Sequence, residues 1–391
     1  VEAERSAIEA MLPVGAIGGS GGHVEYDGMK EPAGTAHAAP DAPGRRYDLD
    51  RREVTELLAD QPQYRVSQLW HGLYARLAEP AELTELPQVL RARLSTEPAL
   101  APSLGLSSET LTDQGRTLKW LWSLSGGAMV ETVLMHYPDR STVCVSTQAG
   151  CAMGCGFCAT GQAGFTRHLS TGEIVEQVVA AARSCRHGQP PRRLTNVVFM
   201  GMGEPLANFP RVWGAIERLH TDLGLSARHL TVSTVGVVPG IRSLASKGLP
   251  VGLAVSLHAA NDALRDRLVP INRRWPLAAL MDACQMWRQA TGRRLSFEWA
   301  LIDQVNDSLS DAAQLADWAR PLHAHVNLIP LNATPGWPTV ATPPDGIRAF
   351  ARALADHGVN ATVRRNRGTD IDAACGQLAA RTATAPALVA D

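Results

Sequence analysis

From about residue 141 onward, short apolar runs rich in β-branched residues alternate with longer amphipathic ones. STVCVST, LTNVVFM, HLTVST, VGLAVSL, LSFEWAL, HVNLIP and NATVRR read as strands of a buried sheet. Between them, EIVEQVVAAARS, RVWGAIERLH, LAALMDACQMWRQ, DAAQLADWAR and IRAFARALADHG carry apolar residues at helical spacing. Ser170, with Glu173 three residues on, marks a capping box at the start of the first of these helices. Strands alternating with helices predict an α/β fold with a parallel sheet, here a partial (β/α)6 barrel over residues 141–383. Sites in such folds lie at the C-terminal ends of the strands.

The pattern changes upstream. Val54, Leu57, Leu58, Val66, Leu69, Leu73 and Leu77 recur at helical spacing, interrupted by Asp and Pro, which predicts a small helical accessory domain over 47–100. ETLTD, RTLKWLWSL and MVETVLMHY are β-like runs separated by QG and SGG, the pattern of a β-meander linking the two over 101–140. Residues 1–46, rich in Gly, Ala and Pro, are expected to be a disordered leader, and 384–391 a tail.

Composition adds limits rather than identity. The chain has 391 residues, 45% of them hydrophobic, and a formal net charge of -1, so a nucleic-acid partner requires a local basic surface. No apolar run is long enough to span a bilayer, and no signal peptide is evident. Seven cysteines in a chain of this size argue against a disulfide framework and for a cytoplasmic protein whose clustered thiols bind metal or do chemistry.

Three of the cysteines stand together. Cys151, Cys155 and Cys158 follow the first barrel strand, among Gly150, Gly154 and Gly156. Core cysteines have no reason to gather in a Gly-rich loop. Structural zinc takes four ligands, typically as two separated pairs, and a fourth is missing nearby. Three thiolates on an iron–sulfur cube leave one iron open to a substrate. The CxxxCxxC spacing on a first strand-to-helix loop is the motif of radical S-adenosylmethionine enzymes, including the aromatic Phe157 before the last cysteine.

Other candidates lie on the same rim. Met200-Gly201-Met202-Gly203-Glu204-Pro205 ends the second strand and resembles the GGEP motif of that superfamily. Ser233, Ser256-Leu257-His258 and Asn332 each end a later strand. Cys144 lies inside the first strand and Cys375 near the C-terminus, with Arg364, Arg365 and Arg367 nearby to lower its thiol pKa. Cys185 and Cys284 read as packed helix thiols. Glu131 shares strand parity with Met129, Val133 and Met135 and, taken alone, reads as a solvent-facing edge carboxylate. The pairs Arg192–Arg193, Arg273–Arg274 and Arg293–Arg294 read singly as solvated surface and together as candidates for a phosphate-binding basic surface.

Taken in order, CVSTQAGC, CAMGCGFCATGQAGF, NVVFMGMGEPLAN, TVSTVGVVP, AVSLHAAND, VPINRRWP, NLIPLNATPG and DIDAACGQLA resemble one family from about Tyr47 to Ala380, with Ala333 a local departure. It is the bacterial adenosine-C2 RNA methyltransferases, which act on 23S rRNA (adenine 2503) and on tRNA (adenine 37). The resemblance implies a [4Fe-4S] cluster on Cys151, Cys155 and Cys158. It implies S-adenosylmethionine, two molecules per turnover, contacted by Gly203, Glu204, Ser233, Ser256, Leu257, His258 and Asn332. It further implies that Cys375 carries the transferred methyl carbon, that Cys144 releases the product through a transient disulfide with Cys375, and that Glu131 accepts a proton. A flavodoxin- or ferredoxin-type electron donor and a monomeric state are expected. The sister enzyme that methylates C8 of the same ribosomal adenosine shares every motif. A radical enzyme acting on a peptide or small molecule would have no need of Cys375, and a non-catalytic iron–sulfur or zinc protein that binds RNA would form no 5′-deoxyadenosine from S-adenosylmethionine and reductant.

Overall fold

The computed structural model describes residues 45–334 and 336–380. The predicted leader lies outside these residues except for Arg45 and Arg46, and so does the predicted tail. Arg46 is buried, pairing with Glu79 at 2.5 Å and donating through Nε to the Leu100 carbonyl at 2.9 Å, so ordered packing includes the last residues assigned to the leader.

Twelve strands occur among the described residues: β1 Gly105–Thr112, β2 Thr117–Ser123, β3 Met129–His136, β4 Ser141–Cys144, β5 Gln148–Gly150, β6 Phe165–His168, β7 Asn196–Phe199, β8 Leu230–Thr234, β9 Gly252–Ser256, β10 Ser296–Leu301, β11 His325–Pro330 and β12 Ala361–Val363. Ten form one sheet in the order β1-β2-β3-β4-β7-β8-β9-β10-β11-β12, and β5 pairs with β6 separately. From β4 to β12 neighbouring strands are parallel, and helices run between them. This is the predicted α/β architecture, with β12 at the far edge of the sheet.

The meander is part of the same sheet. β3 pairs antiparallel with β4, setting Val133 opposite Cys144 and Leu134 opposite Val143. Without β3 the first barrel strand would expose a row of unpaired backbone groups. The run STVCVST, read as one strand, breaks after Cys144. Ser146 Oγ there donates to the Glu131 carbonyl at 2.6 Å, and the chain turns away into β5.

The N-terminal helices Arg51–Leu57, Tyr64–Tyr74 and Gln88–Thr96 bury Val54, Leu69, Trp70, Leu73, Leu90 and Leu94. Polar ties fix them against the barrel helices. Trp70 Nε1 donates to Asp222 at 2.8 Å, and Arg218 donates to the carbonyls of Tyr47 and Asp48. Asp48 accepts from the Gly172 N–H at 2.6 Å, where the N-terminus of the helix Thr171–His187 favours an anion. That helix starts with the capping box read from Ser170 and Glu173.

Candidate active site

The cysteine loop leaves β5 through Gly150, whose φ of +75° suits glycine, and where a Cβ would lie 2.0 Å from the Gly164 carbonyl oxygen. The Cys151 N–H donates to that same oxygen at 2.7 Å, closing the loop. The other end is fixed from the C-terminus: the Ala159 N–H donates to the Gly376 carbonyl at 2.7 Å, and Thr160 Oγ1 to the Leu378 carbonyl at 2.5 Å.

Cys151, Cys155 and Cys158 line one cavity of about 220 Å³. Burial pushes the Cys151 thiol up to about 12, and the neighbouring Glu204 and Cys158 add to the rise. Cys155 is driven well above the ordinary thiol range, first by burial and then by Cys158 and Cys151. Three thiols gathered on one cavity wall, with burial disfavouring the thiolates of Cys151 and Cys155, suit a cationic group as their partner. Among the described residues no three His, Cys, Asp or Glu side chains converge as a single metal ion requires. A cube of four irons accepts thiolates spread around its corners, so the donor set fits an iron–sulfur cluster with one iron left open.

The strand-end residues converge on the same cavity: Gly203, Glu204, Ser233, Ser256, His258 and Asn332 all line it. Leu257 does not; it is buried beside the rim, with its N–H donating to the Glu298 carbonyl at 3.0 Å. Glu204 is buried and pushed up to about 7 by desolvation, although it accepts from the Leu206 N–H at 3.0 Å and the Val235 N–H at 2.9 Å. A carboxylate so desolvated has most to gain from an ammonium partner. His258 has a φ of +59°, and its Nδ1 accepts from the Ala300 N–H at 3.0 Å. Burial and the Arg265 charge lower it to about 3, so the ring is neutral and Nε2 carries the hydrogen.

The two outlying cysteines meet here. Cys144 ends β4 and Cys375 follows the turn at Thr369–Ile371; both line the cavity. Burial raises the Cys144 thiol well above its usual range, and the Cys375 charge raises it further. Cys375 faces solvent within the cavity but is closely surrounded, and its thiol is raised rather than lowered. Arg364 does pull it down, as the basic run suggests, but desolvation by the enclosing walls outweighs one exposed guanidinium.

Glu131 is buried and does not line the cavity. Its carboxylate pairs with Lys119 at 2.9 Å and accepts from the N–H groups of Ala379 at 2.9 Å and Ala380 at 3.2 Å. The solvent-facing reading of this residue fails because the C-terminal segment folds over it. Cys185 and Cys284 are buried in helices, as expected.

Three residues in the site escaped sequence reasoning. Gln148 Oε1 accepts from the Glu204 N–H at 2.8 Å, and Asn366 Nδ2 donates to Asn332 Oδ1 at 2.6 Å. Glu298 lines the cavity and accepts from Ser296 Oγ and Asn327 Nδ2, both at 2.8 Å. Only Glu298 left a signal, a lone carboxylate inside the apolar run LSFEWAL.

Residues 145–316 match the radical SAM superfamily. The crystal structure of a radical SAM methyltransferase from Sphaerobacter thermophilus superposes with a TM-score of 0.83 at 49% identity, covering 87% of this chain and 100% of that one. A sheet of this order with three cysteines on its first loop therefore defines a radical S-adenosylmethionine enzyme, a methyltransferase by its relatives. A Frankia casuarinae protein described as a dual-specificity RNA methyltransferase RlmN is 53% identical, over 88% of this chain and 85% of its own length. Proteins of the same description from Roseiflexus castenholzii and Streptomyces coelicolor are 49% and 50% identical, covering 95% and 92% of their own lengths. The chain belongs to this RlmN family of radical SAM RNA methyltransferases.

Proposed function

We propose that the enzyme methylates C2 of adenosine in 23S rRNA and tRNA, with Cys375 carrying the carbon and Cys144 releasing it. The observation that carries this reading is that Cys144, Cys375 and the three loop cysteines line one cavity. C2 of adenine lies between two ring nitrogens and is too electron-poor to attack a sulfonium methyl directly, whereas a carbon radical can add there.

Cys151, Cys155 and Cys158 would hold a [4Fe-4S] cluster, which would supply the electron for reductive cleavage of S-adenosylmethionine and take one back from the RNA adduct. Glu204 takes the ammonium of that molecule, Gly203, Ser233, Ser256, His258 and Asn332 hold the rest, and Leu257 supports that wall from behind. Cys375 gives up its thiol proton and takes a methyl group from a first S-adenosylmethionine. The 5′-deoxyadenosyl radical from a second removes a hydrogen atom from that methyl. The resulting carbon radical adds to C2 and crosslinks Cys375 to RNA, and the adduct gives up one electron together with the C2 proton to restore the aromatic ring. Glu131 accepts the proton leaving the base, which requires the 379–380 backbone to release its carboxylate. The Cys144 thiolate then attacks the Cys375 sulfur; the S–C bond breaks, a Cys144–Cys375 disulfide forms, and the departing carbon keeps the electron pair and takes up a proton to become the methyl group.

The exposed end of the cavity suits RNA. Arg364, Arg365, Arg367 and Tyr137 line it, and the guanidiniums of Arg140 and Arg367 lie 4.1 and 4.2 Å from the Tyr137 ring centre. Arg192 donates to the Tyr137 carbonyl at 3.1 Å. A basic collar of this kind binds phosphates while an unstacked base enters. The electron donor is a flavodoxin- or ferredoxin-type protein, and the enzyme works as a cytoplasmic monomer.

Nucleoside mass spectrometry after anaerobic reaction of the reconstituted chain with 23S rRNA and with tRNA tests the reading. 2-Methyladenosine is expected in both; 8-methyladenosine alone would overturn it.

A further inference from the structure

Arg265, in the helix Asp262–Leu268, has no exposed surface. A buried guanidinium usually rests against a carboxylate. This one does not. Its Nε donates to the Leu257 carbonyl at 3.1 Å, and Nη1 donates to Asn272 Oδ1 at 2.8 Å. Nη2 donates to the carbonyls of Val235 at 2.6 Å and Ser256 at 3.4 Å. The nearest acids are one residue removed: Asn272 Nδ2 donates to Asp262 at 2.9 Å and Asp266 at 2.6 Å.

The guanidinium therefore lies directly behind the cavity wall, because Val235 and Ser256 both line the cavity. The segment that follows its helix approaches the cysteine loop: a Cβ on Gly154 would lie 4.0 Å from Pro270. Holding carbonyls needs only a neutral donor, so the buried charge calls for its own account. Burial lowers Arg265 to about 10, which leaves it protonated at neutral pH. Its field reaches the site: it lowers His258, whose ring lies 4.8 Å from that of Phe157 in the cysteine loop.

A cube held by three thiolates is anionic and gains a further negative charge on reduction. Local charge is one of the levers that set the potential of such clusters. We propose that Arg265 is a positioning residue of the cluster site, whose fixed positive charge stabilises the reduced cluster and raises its reduction potential. This inference rests on the radical SAM site and is independent of which RNA position is methylated.

The test is a redox titration of the anaerobically reconstituted full chain, monitored by electron paramagnetic resonance, with a low-potential one-electron reductant and neither S-adenosylmethionine nor RNA. Iron content and thermal unfolding report loading and fold. Arg265→Gln moves the midpoint to more negative potential, while Arg265→Lys stays near the unmodified value. Asp266→Asn removes a screening negative charge and moves the midpoint the other way. An unchanged midpoint in a fully loaded Arg265→Gln protein overturns the proposal, as do equal shifts in the Lys and Gln variants. If Arg265→Gln does not load iron, Asp266→Asn decides, and the absence of a positive shift there overturns it.

Discussion

Asn332 Nδ2 donates a hydrogen bond to the carbonyl oxygen of Cys375 at 2.9 Å. The bond joins the end of β11 to the loop that carries the exposed thiol, and Asn366 locks it from behind by donating to Asn332 Oδ1. A residue proposed among the S-adenosylmethionine contacts thus also sets the position of the thiol proposed to carry the methyl group. Asn332→Ala removes this tie. A lost hydrogen bond of this kind costs roughly 1 kcal/mol, or about fivefold. Slower methylation of Cys375 by about that factor is expected, followed by intact-protein mass. An unchanged loading rate would assign the bond no role.

Cys375 and Cys144 separate by phenotype. Cys375→Ala is expected to abolish RNA methylation while 5′-deoxyadenosine still forms. Cys144→Ala is expected to accumulate an RNA–protein crosslink stable on a denaturing gel. Normal turnover in either variant contradicts the assigned roles.

Glu131 distinguishes a base from a clamp. In Glu131→Gln the amide oxygen can still accept from Ala379 and Ala380, so the segment stays in place. Cys375 methylation should proceed normally. Resolution of the crosslink should slow by roughly 10²-fold or more, the usual worth of a general base. If methylation of Cys375 fails equally, the carboxylate serves only to anchor the chain.

The release step should depend on pH. The Cys144 thiol is raised by burial first and by the Cys375 charge second. Once Cys375 is a thioether the second contribution vanishes, but burial remains. A raised thiol is protonated at neutral pH, and its reactive thiolate fraction grows about tenfold per pH unit below the pKa. Single-turnover release from a preformed crosslink should therefore accelerate from pH 7 to pH 9. A flat profile would mean that deprotonation of Cys144 does not limit release.

The basic collar should appear in the salt dependence of RNA binding. Arg140→Gln and Arg192→Gln are each expected to weaken RNA binding and to reduce the slope of log affinity against log salt by about one. Filter binding over a range of potassium concentrations measures it. An unaltered slope would move the phosphate contacts elsewhere.

What the sequence determined alone is local or periodic. The spacing of Cys151, Cys155 and Cys158 confines three thiols to one loop, wherever that loop lies. Strand–helix alternation compels a parallel sheet, and a parallel sheet brings its strand ends to one rim; Glu204, Ser233, Ser256, His258 and Asn332 were legible for that reason. Tertiary structure decided what depends on distant segments packing together. It brought Cys375 and Cys144 to one cavity, buried Glu131 under Ala379 and Ala380, and enclosed Arg265 with no carboxylate among the described residues touching it. It also reversed the expected direction at Cys375, where the sequence shows nearby arginines and the fold adds walls. The physical reason is that desolvation depends on every segment surrounding a group, whereas spacing along the chain records only its immediate neighbours.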